Sequence, residues 1–175
     1  MSAESPFGFG LLGPQRLGGR PGLSEIRPSL VVGEYPTPGD AAWLVEEHGI
    51  TVVVSLQEDA DLAAKGLTAA ALERAYAACG LRFHRIPVPD GDERSLAARL
   101  DEIVALLGRL VTAGERVYLH CNAGFNRAPT AAIAHLHVHE GLSLEAARDA
   151  VKERRACVPY MGVLAERLGR GRRGA

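Results

Sequence analysis

One stretch constrains this chain more than any other: Val117-Tyr118-Leu119-His120-Cys121-Asn122-Ala123-Gly124-Phe125-Asn126-Arg127-Ala128-Pro129-Thr130. Residues 116–120 read as a short buried strand. Residues 127–140 carry a helical pattern that is rich in Ala and apolar nearly all round, which predicts a central helix. A strand that enters such a helix through a tight loop delivers Cys121 to the mouth of a sheet. The five residues between Cys121 and Arg127 can wrap backbone N–H groups around one tetrahedral dianion, and the helix N-terminus adds its dipole. That field favours a thiolate at Cys121; cysteines so placed have pKa values of about 3.5–7.5 instead of ~8.5. Arg127 offers a planar fork for two phosphoryl oxygens at once. The loop of Asn122, Ala123, Gly124, Phe125, Asn126 and Arg127 is therefore the candidate phosphate cradle, with Cys121 as nucleophile.

Elsewhere, apolar runs alternate with helical patterns. Strands are expected at 29–34, 51–56, 81–88 and 116–120. Helices are expected from Asp40 to His48, from Thr68 to Ala78, from a cap at Ser95 to about Gly114, over 127–140, from a cap at Ser143 to about Arg155, and briefly after Pro159. Strands alternating with helices predict an α/β fold, a mainly parallel central sheet flanked by helices on both faces.

Length and charge narrow the function. The 175 residues fit one domain, and 20 Lys plus Arg against 21 Asp plus Glu leave a net charge of −1, so no basic field points to nucleic acid or an anionic membrane. No apolar stretch approaches the ~20 residues of a membrane span, and Met1–Gly10 has no signal-peptide pattern; the expected compartment is the cytoplasm and the expected state a monomer. Three cysteines, Cys79, Cys121 and Cys157, make a disulfide framework an unsuitable reading. Residues 1–22, rich in Gly and Pro, are expected to form a flexible arm, 23–168 the folded domain and 169–175 a basic tail. The arm contains Gly8-Phe9-Gly10-Leu11-Leu12-Gly13, a dinucleotide-type pattern that lacks the strand before it and the helix after it.

Cys121-x5-Arg127 preceded by His120 resembles the signature of the cysteine-based protein tyrosine phosphatase superfamily; rhodanese-type loops are one residue shorter. Within it, the chain is most similar to dual-specificity phosphatases of the glucan type, laforin and the plant starch phosphatases. Ile26–Gly33, Val54–Leu62, Cys121–Pro129 and Arg154–Pro159 carry the likeness, which spans about residues 24–168. The resemblance implies a dual-specificity phosphatase-like fold and a metal-independent phosphomonoester hydrolase that works through a cysteinyl-phosphate, with no metal and no cofactor. It implies a general acid roughly thirty residues upstream of Cys121. Asp90 lies 31 residues before it and Asp92 lies 29. The following Gly91 favours Asp90, which makes Asp92 and Glu93 solvated loop charges. His120 is then an orienting residue.

The departures leave the substrate open among phosphoprotein, phosphoglucan and lipid or inositol phosphate. Ala128 stands where a hydroxyl residue usually follows the Arg, Asn126 where glucan-type loops place Gly, and Gly91 and Val158 where aromatics are common. A catalytically weak phosphate-binding module is the alternative. Among the remaining chemistry-bearing residues, Cys79 and Cys157 read as core filler. His135 and His139 share a helix face without a third metal ligand, and His84 reads as structural. Asp59 and Asp61 read as loop caps, and Arg154 and Arg155 as a solvated helix end or a second anion contact.

Overall fold

The computed structural model describes residues 9–10, 13–14 and 19–169. The expected basic tail beyond Gly169 lies outside them, as does much of the expected arm. Within the arm, β1 (Phe9–Gly10) pairs antiparallel with β2 (Gly13–Pro14). The body follows as β3 (Leu23–Arg27), β4 (Leu30–Gly33), a 3₁₀ turn at Pro38–Asp40, α1 (Ala41–Glu46), β5 (Val52–Ser55), α2 (Asp59–Ala63), α3 (Ala69–Ala78) and β6 (Arg82–Arg85). It ends with α4 (Glu93–Thr112), β7 (Val117–His120), α5 (Arg127–Glu140), α6 (Leu144–Arg154) and α7 (Met161–Leu168). The sheet order is β3-β4-β7-β5-β6, and every pair except β3 with β4 is parallel.

The alternation along each central strand explains the two helical layers. Leu30, Val32, Val52, Val54, Val117 and Leu119 face one side and pack with α4, α5, α6 and α7. Val31, Val53 and Tyr118 face the other and pack with Leu44 of α1, Leu62 of α2, and Leu72 and Tyr76 of α3. Because both faces are covered, these strands are continuous apolar runs. Fully burying one such Val or Leu contributes about 1.5–3 kcal/mol, so the sheet sandwiched between the two helical layers is a firm base for the loops at its edge. Helix α5 is packed against α4 on one flank and α6 on the other; its Ala128, Ala131, Ala132 and Ala134 are all buried, and short side chains permit that close approach.

Four readings of the sequence need correction or addition. Ser95 does not cap α4. Asp92 does, and the helix starts three residues earlier: Ser95 N–H donates to Asp92 Oδ1 at 3.0 Å and Ser95 Oγ to Asp92 Oδ2 at 2.6 Å. A carboxylate accepts both donors at once, whereas the Ser95 hydroxyl would satisfy only one. β3 and α2 are elements the pattern did not delimit. Finally, packing reaches back into the expected arm: Arg20 Nη1 lies 3.0 Å from Asp40 Oδ1, and Gly22 N–H donates to Glu34 Oε2 at 2.6 Å. No helix among the described residues is long and apolar enough to cross a membrane.

Candidate active site

β7 ends at His120 and α5 begins at Arg127, so the loop between them sits at the carboxyl edge of the sheet, between β4 and β5. Every carbonyl of residues 121–126 is turned outward and bonded. Cys121 O accepts from His120 Nδ1 at 3.0 Å, Asn122 O from Tyr35 N at 2.9 Å, and Ala123 O from Arg155 Nη2 at 2.8 Å. Gly124 O accepts from Arg155 Nε at 2.6 Å, Phe125 O from Val158 N at 2.9 Å, and Asn126 O from Thr130 Oγ1 at 2.7 Å. In a planar trans peptide the N–H of the next residue points opposite the carbonyl. The amides of 122–127 thus aim to the concave side. Gly124 is required there: its φ is +59°, and a Cβ would meet Gly33 O at 2.4 Å.

Cys121 is buried at the base of this loop, and Arg127 is only 1% exposed. Arg127 is held by one end: Nη1 donates to Asp61 Oδ2 at 2.8 Å and Val88 O at 2.6 Å. Nε and Nη2 have no hydrogen-bond partner among the described residues; Nη2 lies 3.3 Å from Asp90 Oδ1, an ion pair without hydrogen-bond alignment. Burial opposes the Arg127 charge, but the fields of Cys121, Asp61 and Asp90 outweigh it and raise its pKa. Asp61 is also buried, which works against its ionisation. Arg127, Asn122 Nδ2 at 2.6 Å and Glu58 N at 3.1 Å prevail and hold its carboxyl below the ordinary range. Gln57 Nε2 donates to Asn122 Oδ1 at 2.8 Å and completes the chain of contacts behind the loop.

Asp90 comes to the same place. Its Oδ2 lies 3.4 Å from Asn122 Nδ2, and its side chain is 43% exposed at the mouth. Gly91, at φ +75°, turns the chain so that Asp92 faces α4 instead. Asp92 is therefore a helix cap, not a solvated charge, and the Ser95 hydroxyl and amide hold its carboxyl below the usual range. His120 is fully buried, which drives its pKa down to about 4; it is neutral near pH 7 and orients the Cys121 peptide. Asn126, in place of Gly, donates from Nδ2 to Val158 O at 2.7 Å and ties the loop to the segment after α6. Ala128, fully buried, brings no hydroxyl to Cys121.

Sequence reasoning missed two of these residues. Asp61, read as a loop cap, does bond Glu58 N–H but chiefly anchors Arg127 and Asn122. Arg155, read as a solvated helix end, donates to two loop carbonyls. Cys79 is partly buried and Cys157 buried, both as free thiols. The His135 and His139 rings lie 4.9 Å apart, and no group of three or more His, Cys, Asp or Glu among the described residues is arranged to hold a metal ion.

Residues 31–166 match the family model of the dual specificity phosphatase catalytic domain. The amyloplastic phosphoglucan phosphatase DSP4 of Castanea sativa is 30% identical over 143 residues, covering 79% of this chain and 38% of that protein. Laforin of Mus musculus is 26% identical over 169 residues, 90% of this chain and 50% of its own length. Dual specificity protein phosphatase 2 of Homo sapiens is 29% identical over 147 residues, 82% and 42%. This chain thus spans half or less of each of these relatives. Among solved structures, Tk-PTP in its active form aligns with a TM-score of 0.72 at 26% identity, covering 85% of this chain and 97% of that one.

Proposed function

We propose the activity from one premise: this chain belongs to the family of dual specificity phosphatase catalytic domains. It is a metal-independent phosphomonoester hydrolase, acting on phosphoprotein (Tyr, Ser or Thr) or phosphoglucan. The observation that carries this reading is the outward bonding of all six carbonyls of 121–126 beside an Arg127 whose Nε and Nη2 lack hydrogen-bond partners among the described residues. Such a site presents a concentrated set of donors and one positive charge, which favours an oxyanion over a neutral ligand.

In the proposed reaction a phosphoryl group docks in the cradle of residues 122–127. Cys121 Sγ, as thiolate, attacks phosphorus in line, forming a P–S bond as the P–O bond to the leaving group breaks. Arg127 Nε and Nη2 and the loop amides stabilise the equatorial oxygens, usually the largest contribution in such sites. Asp90, protonated, gives its proton to the leaving oxygen. Its carboxylate then takes a proton from water, which attacks phosphorus and breaks the P–S bond, regenerating the thiolate and releasing phosphate. His120 and Asp61 hold the loop and Arg127 in register. We place the protein in the cytoplasm as a monomeric catalytic domain over 23–168, a reading that rests on composition and on three free thiols.

Cys121→Ser tests the reading. Turnover of p-nitrophenyl phosphate in the presence of EDTA is expected for the parent and lost in the variant, with an unchanged circular dichroism spectrum. Residual turnover in the variant would place the nucleophile elsewhere. A parent that binds phosphate without turnover would be a phosphate-binding module. Parallel assays on phosphopeptides, amylopectin and inositol phosphates assign the substrate.

A further inference from the structure

The two central carbonyls of the loop differ from the other four. Asn122 O and Phe125 O are held by backbone amides, Asn126 O from within its own helix, and Cys121 O by the adjacent His120. Ala123 O and Gly124 O are held by one side chain from a distant element, Arg155, which follows α6 in extended conformation at φ −142°, ψ 126°. Its planar fork spans two consecutive peptide groups, with Nε on Gly124 O at 2.6 Å and Nη2 on Ala123 O at 2.8 Å. Nη1 reaches Ser24 Oγ at 3.3 Å and Val32 O at 3.4 Å, which ties the guanidinium to β3 and β4. The fit is flush: a Cβ on Gly124 would lie 2.7 Å from Arg155 Nη2.

We propose that Arg155 is a positioning residue of the phosphate cradle: by holding the Ala123 and Gly124 carbonyls outward it aims the Gly124 and Phe125 N–H groups at the phosphoryl oxygens. The inference rests on the phosphatase reading above. Geometry gives the reason that the side chain must be Arg. Two carbonyls in neighbouring peptide planes need two donors at fixed separation, which a guanidinium presents rigidly and an ammonium does not. Rotating either peptide would turn a carbonyl dipole toward the bound anion and remove a donor. Loss of one preorganised donor to an oxyanion lowers kcat by about 10²–10³-fold in a comparable setting; a donor that is misaimed and not deleted loses less.

The test compares the parent with Arg155→Ala and Arg155→Lys in two readouts at 25 °C: kcat/KM on p-nitrophenyl phosphate, and affinity for orthovanadate measured by calorimetry. Thermal melts verify folding. Arg155→Ala is expected to lose about 10–100-fold in kcat/KM, with vanadate affinity falling in step; Arg155→Lys is expected to recover only part of both. A folded Arg155→Ala whose two readouts stay within twofold of the parent overturns the proposal. So does a variant that melts lower yet binds vanadate as the parent does, because that is the mark of a merely structural contact. If Arg155→Ala does not fold, Arg155→Lys decides by the same criteria. A parent that turns over no substrate would sink the phosphatase reading alone, and the vanadate affinities of parent and variants would still decide the role of Arg155.

Discussion

Asp61→Asn isolates the charge that anchors Arg127. The substitution keeps the shape of the side chain, but each group that faces it is a donor: Asn122 Nδ2 at 2.6 Å, Arg127 Nη1 at 2.8 Å and Glu58 N at 3.1 Å. A carboxylate accepts all three. An amide has one accepting oxygen, so either orientation sets its NH₂ group against a donor. Breaking a buried ion pair by removing one partner costs about 3–5 kcal/mol. The isostere keeps one acceptor, so the lower end, about 3 kcal/mol, is expected. At roughly 2–4 °C per kcal/mol for a chain of this size, the melting temperature at pH 7 should fall by about 6–12 °C. The pH dependence gives a sharper test. The folded-state pKa of Asp61 is depressed, so its stabilisation is fully present above the unfolded value of about 3.9 and is lost as pH falls toward the folded one. The Asp61→Asn variant has no such stabilisation to lose. The gap between the two melting curves should therefore narrow from pH 5 to pH 3. Differential scanning fluorimetry across that range reads it directly. A gap below 2 °C at pH 7, or one that persists undiminished at pH 3, refutes the anchoring argument.

How legible the molecule was depends on sequence distance. Helix α5 could be read to its ends because Arg127 and Glu140 bound an unbroken pattern, and Ser143 announces α6 as a cap that the structure retains. Cys121 and the cradle are contiguous, so spacing alone shows the loop. β3 escaped because Ser24, Glu25 and Arg27 give an edge strand little apolar pattern; it is held by backbone pairing to β4. The α4 cap was ambiguous because Asp92 and Ser95 are both capping residues three apart, and only their mutual bonds decide. Asp61 and Arg155 reach Arg127 and the loop from 66 and 31 residues away. Nothing local distinguishes an Asp or Arg that will meet a distant loop from one that will face water; sheet order makes that choice. The loop of 121–127 and Asp90, which the structure brings together, were therefore visible in the sequence, and the anchoring contacts of Asp61 and Arg155 were not.

Two predictions follow from that division. With phenyl phosphate, whose leaving group needs a proton, Asp90→Asn should lower kcat by about 10²–10⁴-fold, whereas Asp92→Ala should leave kcat near the parent's and lower stability by about 1 kcal/mol through the lost cap; the reverse pattern in paired kinetics and melts would exchange the two roles. The second concerns His120 and His135, both driven down to about 4 by burial, with Arg127 reinforcing it at His120 and His139 at His135. Their unfolded value is about 6.5, so between about 4 and 6.5 the unfolded chain binds more protons, and stability is full above about 6.5 and falls as pH drops. Each contributes about 1.4 kcal/mol per pH unit across that window. Urea unfolding at pH 7, 6 and 5 should show the decline, and His135→Leu should make it shallower without abolishing it, because His120 remains and His84, also shifted down by burial and by Arg82 and Arg109, adds to it, while Asp61 begins to lose its pairing only at lower pH. A stability that stays flat from pH 7 to 5 would mean that both rings find compensating partners when protonated.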